Sequence, residues 1–89
     1  MEYVPIQSYY KSTLAQFYSN EGEVIWTVFT LMFHIKKSGC MAELVKEGYE
    51  PYSRGFTPAQ VKLIFEYIHT PLLNDANRKL LKLINHEKD

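Results

Sequence analysis

Very few side chains in this sequence are equipped for chemistry. The soft metal ligands and potential nucleophiles are Cys40, His34, His69 and His86. Zinc sites draw on close pairs, two cysteines two to four residues apart or two histidines three to five apart. These four residues have no such spacing, so no metal is expected. His34 lies in an apolar run and reads as a hydrogen-bonded histidine of the core or its rim. Cys40 follows the basic pair Lys36-Lys37 and stands near a helix start, a setting that can activate a thiolate; a small, buried, inert thiol is the commoner fate of a lone cysteine. One cysteine closes no intramolecular disulfide, which points to a reducing, cytoplasmic setting. Glu21 and Glu23 read as carboxylates at a helix start. With no glycine-rich phosphate loop, nucleophile elbow or paired-carboxylate motif in the sequence, the expectation is a protein that is not an enzyme and takes no cofactor.

Two other groups of residues suggest binding. Seven tyrosines among 89 residues is a heavy load. Tyr3, Tyr9, Tyr10 and Tyr18 lie along or beside the first expected helix, where at most half can face inward. Tyr49, Tyr52, Arg54 and Phe56 form a second aromatic group on a loop. Tyrosine and arginine are enriched where proteins bind one another, so Tyr9, Tyr18, Tyr49, Tyr52 and Arg54 are the expected partner contacts. The competing account places tyrosines at core margins with their hydroxyls in water. The second group is Arg78, Lys79 and Lys82, with Asn74 and Asn77 on their N-terminal side. On a helix following another helix, these five could contact nucleic acid in a helix-turn-helix arrangement. Against it, the turn His69-Thr70-Pro71 has no glycine, Asp75, Glu87 and Asp89 dilute the charge, and cations near a helix C-terminus are explained by the helix dipole.

The elements that must position these residues follow from periodicity and punctuation. The chain is 46% hydrophobic, 15% aromatic and 22% charged with a net charge of zero, which fits one packed domain spanning 1–89. Ile6, Tyr10, Leu14 and Phe17 predict an amphipathic helix from Pro5 to Ser19. Asn20 and Glu23 have capping-box spacing for a second helix over 23–37, apolar nearly all round and therefore expected to be buried on most sides. Its apolar stretch of twelve residues is too short for a membrane span, which needs about 20. Gly39 ends or kinks this helix, and a short continuation over 40–47, with Met41, Leu44 and Val45 inward, stops at Gly48. Residues 49–56 read as a loop. Thr57, Pro58 and Gln60 take the N-cap, first and third positions of the next helix, with Phe56 and Val61 as a hydrophobic staple. Its core face is Val61, Ile64, Phe65 and Ile68. Pro71 breaks the pattern, and a last helix through Asn85 has Leu73, Ala76, Leu80, Leu81 and Ile84 inward, with 86–89 frayed.

The expected fold is all-α, a compact bundle of four to five short helices around the central apolar helix 23–37. Such a helix is hard to cover within one small chain, and self-association is a natural remedy. The functional expectation is a small intracellular protein that binds protein, as a regulator, inhibitor or adaptor of the size common in bacteria and phages, and that pairs with itself as a homodimer. DNA binding through the last helix is the alternative. The opening residues 1–5 lack a basic and apolar leader pattern, so neither secretion nor membrane attachment is expected.

Overall fold

The structure is a computed structural model that describes residues 2–87, with side chains described through Asn85. Its elements in chain order are β1 (Tyr9–Tyr10), α1 (Lys11–Ser19), α2 (Val28–Ser38), α3 (Cys40–Lys46), β2 (Gly55–Phe56), α4 (Pro58–Tyr67) and α5 (Asp75–Glu87). The strongest local signal forms as predicted. Thr57 Oγ1 accepts from the Gln60 backbone N–H at 3.3 Å, and Gln60 Oε1 accepts from the Thr57 N–H at 3.0 Å. Both orphan donors at the start of α4 are thereby satisfied. Gln60 then reaches further, its Nε2 donating to Glu47 O at 3.0 Å, which fastens the first turn of α4 to the end of α3. Gly39 stands between α2 and α3 at φ +87°, a left-handed conformation that ends a helix and suits glycine. Gly48 repeats the device after α3 at φ +84°.

Several expectations are corrected. The first helix does not begin at Pro5. Residues ahead of Lys11 are extended: Val4 N–H donates to Pro71 O and Leu73 N–H to Glu2 O, both at 2.9 Å, and Tyr9-Tyr10 pairs antiparallel with Phe56-Gly55. In consequence Tyr9 is buried and Tyr10 exposed, the alternation of a strand. Gly55 permits the close approach, since a Cβ there would lie 2.4 Å from Tyr9 O. The fold is thus mainly helical with a small two-stranded sheet, and not purely α.

The apolar helix also starts late, and although it touches α1, α3 and α4 it is buried on one side only. Thr27, and not Asn20, is its N-cap, accepting from Thr30 N–H at 3.2 Å. Asn20 instead ends α1, and Glu23 is exposed, so the expected capping box does not form. The Trp26 backbone is held outside the helix by Ser19, whose Oγ accepts from Trp26 N–H at 2.6 Å. Within α2 only Leu31 and Ile35 are fully buried. The core is shared: Leu14, Phe17 and Tyr18 from α1 meet Leu31, Ile35, Leu44, Val61 and Ile64, with Val4, Tyr9, Tyr49 and Phe56 closing it. α1 packs on α2, α2 on α3 and α4, and α3 on α4.

Smaller corrections concern faces. Val45 is exposed, while Leu44 is buried together with Cys40 and the half-buried Met41 packs against the core. On α5, Leu80, Leu81 and Ile84 are half-buried, but Ala76 is exposed and Asn77 is buried in its place. α5 is helical through Glu87, while the rest of the tail expected to fray lies outside the described residues.

Candidate interaction surface

A helix that buries Leu31 and Ile35 must point residues half a turn away into solvent. Phe29 and Phe33, one turn apart, are 81% and 52% exposed, and Val24 and Ile25 in the preceding loop are 68% and 79% exposed. Residues four apart on a helix have Cβ atoms about 5–6 Å from each other, so the two rings form one apolar face, flanked by the partly exposed Val28. Single exposed apolar residues need no explanation; a group of five on one loop and helix does. Charge rims the face. Glu23 precedes it, Lys36 and Lys37 follow it, all three exposed, and Lys37 Nζ lies 5.9 Å from the centre of the Phe33 ring.

The face stands on a stacked aromatic ladder. Tyr18 stacks on Trp26 at 4.7 Å, Trp26 on His34 at 4.4 Å, and Phe33 meets the His34 ring edge-on at 5.7 Å. The ladder ties the exposed Phe33 to the buried Tyr18 of α1. The sequence points to uncovered apolar surface on this segment and to self-association through it, but none of these residues is among the expected contacts, because the helix is expected to be buried on most sides. The signal was the surplus itself, an apolar segment with more faces than a chain of 89 residues can cover.

The predicted tyrosine contacts divide. Tyr9, Tyr18 and Tyr49 are core residues and not surface contacts. The Tyr9 hydroxyl donates to Pro5 O at 2.7 Å and its ring meets Phe17 edge-on, while the Tyr18 hydroxyl donates to His69 O at 2.6 Å. Burial pushes both phenols far above the ordinary tyrosine range, and the nearby Glu21 charge pushes Tyr18 further. Tyr49 stacks on Phe56, with Lys11 Nζ 4.9 Å from its ring centre. Tyr52 and Arg54 are exposed on the loop ahead of β2, as a contact requires.

The predicted nucleic-acid set is largely occupied elsewhere. Asn77 is fully buried, and its Nδ2 donates to Phe17 O at 3.1 Å and Leu72 O at 2.7 Å while its Oδ1 accepts from Asn20 Nδ2 at 2.9 Å. Asn74 caps α5: its Oδ1 accepts from Asn77 N–H at 2.9 Å, and its Nδ2 donates to Asn20 O at 2.8 Å. The three asparagines lock the end of α1 to the start of α5, so neither Asn74 nor Asn77 is presented to a duplex. Arg78 pairs with Glu2 at 3.0 Å. Lys79 and Lys82 remain as exposed cations. Seven residues, 68–74, separate α4 from α5, longer than the three or four of a helix-turn-helix.

The groups capable of chemistry are dispersed. Cys40 is buried, and burial together with the Glu43 and Glu66 charges pushes its thiol up to about 11, away from the thiolate that a nucleophile needs. His69 Nε2 meets Glu21 Oε1 at 2.7 Å, and Glu21 Oε2 accepts from Leu72 N–H at 3.0 Å. Glu21 is therefore a clamp on the 69–72 turn and not a helix-start carboxylate. Among the described residues no three of His, Cys, Asp and Glu converge on a point, and the His86 side chain lies outside them. A shallow cleft of about 510 Å³ beside the sheet is lined by Ser8, Tyr10, Thr13, Ser53, Thr57 and Ile84 among others, with no carboxylate or imidazole among the described residues.

Residues 5–71 match the family described as a domain of unknown function, DUF4248. The chain belongs to this family. The DUF4248 stretch contains both strands, α1 to α4, the apolar face and its charged rim, and stops before α5. No curated protein and no solved structure matches the chain. Among the described residues of this DUF4248 protein, no helix is long and apolar enough to cross a membrane.

Proposed function

We propose that this DUF4248 protein acts by binding protein, as a regulator, inhibitor or adaptor without chemistry of its own, through the apolar face of α2 and the loop before it. One observation carries the reading: Phe29 and Phe33 are presented to solvent side by side while Leu14, Phe17, Leu31, Ile35 and Ile64 complete a core without them. Exposed apolar groups of this kind, rimmed by charge, mark protein contacts. The aromatic ladder beneath Phe33 holds the face in shape before a partner arrives, which reduces the ordering cost of association. Tyr52 and Arg54 offer a second, smaller contact on the loop ahead of β2. The dispersal of Cys40, His34 and His69 favours a binding role over catalysis.

Site-specific photocrosslinking tests this. A photoreactive phenylalanine analogue at position 29 is compared with one at Lys62, exposed on α4, in cells that naturally make the protein. The expected result is light-dependent protein adducts from position 29 and none from 62. Equal labelling at both positions, or no protein adduct at 29, overturns the proposal.

A further inference from the structure

The geometry points to a second copy of this chain as the occupant of the α2 face, with α2 packed antiparallel on the partner's α2 about a twofold axis at the level of Leu31. This inference rests on the protein-binding reading above and names its partner. The reason is the order of groups along the face. In chain order Glu23 comes first and Val24 and Ile25 next, in the segment leading into α2, then Phe29 and Phe33 one turn apart on α2, then Lys36 and Lys37 in its last turn, all exposed. Among the described residues, Glu23, Lys36 and Lys37 are in no ion pair.

A surface that runs from acid through apolar to base complements itself when turned end for end. Rotation about an axis at Leu31 sets Phe29 opposite the partner's Phe33, and brings Glu23 near the partner's Lys36 and Lys37, twice over by symmetry. The helix dipoles then oppose one another, which is also favourable. A parallel arrangement brings the two Lys36-Lys37 pairs together and the two Glu23 carboxylates together, and charge repulsion disfavours it. Because the antiparallel contact is the same patch on both sides, it closes at two copies and forms no fibre.

The area sets the strength. At about 200 Å² per aromatic side chain and about 100 Å² per aliphatic one, the five exposed side chains offer roughly 450 Å² per copy, or about 900 Å² for the pair. Specific interfaces begin near 1,000–1,200 Å², so the dimer is weak and reversible, with dissociation in the micromolar range.

Sedimentation velocity on the purified full chain from about 1 to 300 µM reads the association. Wild type is expected to pass from monomer to dimer across this range, and Phe29→Glu to stay monomeric, a loss of about 100-fold or more for a central aromatic anchor. Glu23→Lys alone, and Lys36→Glu with Lys37→Glu alone, should each weaken the homodimer about threefold to tenfold. The decisive arm mixes these two variants: in the heterodimer both ends pair opposite charges, so association should return to about the wild-type level. These positions are exposed, and unchanged circular dichroism establishes that each variant is folded. A wild type that stays monomeric to 300 µM overturns the inference, as does a dimer insensitive to Phe29→Glu or a mixture no tighter than its components. If position 29 nevertheless crosslinks a different protein in cells, self-pairing fails and the protein-binding reading stands. If it crosslinks none, both fail.

Discussion

Replacing Asn77 with alanine removes three hydrogen bonds at a site with no access to water. Its amide donates to Phe17 O and Leu72 O and accepts from Asn20 Nδ2, and Asn77 itself is 0% exposed. Alanine cannot replace any of these. A buried polar group left without a partner costs about 1–3 kcal/mol. Asn20 can turn partly toward water, so the two carbonyls carry most of the penalty and the expected loss is about 3–4 kcal/mol. A chain of this size is stable by about 4–13 kcal/mol, so the loss is a large share of the total. At about 4–8 °C per kcal/mol for a small domain, the melting temperature should fall by roughly 12 °C or more. Thermal and urea unfolding followed by circular dichroism measure it, with Asn85→Ala as control, since among the described residues the Asn85 side chain makes only an exposed bond with Gln7 and its loss should shift stability by less than about 0.5 kcal/mol. A loss below about 1 kcal/mol for Asn77→Ala would refute the asparagine lock. Loss of duplex binding by a fully stable Asn77→Ala protein would restore the nucleic-acid role that burial argues against.

Four further outcomes are expected. Gly39→Ala has open space for its methyl group but must hold φ near +87°, so it should cost about 1–2 kcal/mol in urea unfolding, whereas Gly55→Ala, with its Cβ 2.4 Å from Tyr9 O, should part the strands and abolish protection of the Lys11 amide from hydrogen exchange. Folding holds Tyr9 and Tyr18 neutral above their ordinary value of 10.0; the unfolded chain releases those protons first, so their contribution to stability should be constant below about pH 10 and be lost above it, with the Cys40 thiol adding a loss that begins above its ordinary value of 9.0. Absorbance titration should then show two tyrosines ionising only as the protein unfolds; their ionisation in the folded state would contradict the burial. Cys40, buried with its thiol raised to about 11, should react with a thiol reagent only at the rate of opening, and immediate modification at pH 7 would count against its place in the core.

How much of this was legible beforehand depends on how far apart the deciding atoms lie in the chain. The Thr57–Gln60 cap closes within three residues, and the stops at Gly39 and Gly48 depend on single backbone torsions. Such features are written locally: the cap and the stop at Gly48 are legible in the sequence, while at Gly39 the sequence leaves end and kink open and the torsion decides for an end. The strand at Tyr9-Tyr10 is not written locally, because its partner is Phe56-Gly55, more than forty residues away, and the helical spacing of Ile6, Tyr10 and Leu14 suggested a different pattern. Asn74 and Asn77 looked like surface polar residues because nothing near them in sequence reveals Asn20 and Phe17, more than fifty residues away, as their partners.

The α2 segment shows the division most clearly. Its composition alone determined that the chain carries more apolar surface than one small domain readily hides, and that no short-range motif assembles a catalytic or metal site. Periodicity could not say which side would remain exposed, because a helix apolar all round has no distinguished face. Only the packing of α1, α3 and α4 decided that Leu31 and Ile35 turn inward and Phe29 and Phe33 outward. The same packing decided which tyrosines are core and which are surface. Burial is a property of neighbours brought together by the fold, and a side chain's identity states its preference for burial without stating whether those neighbours arrive.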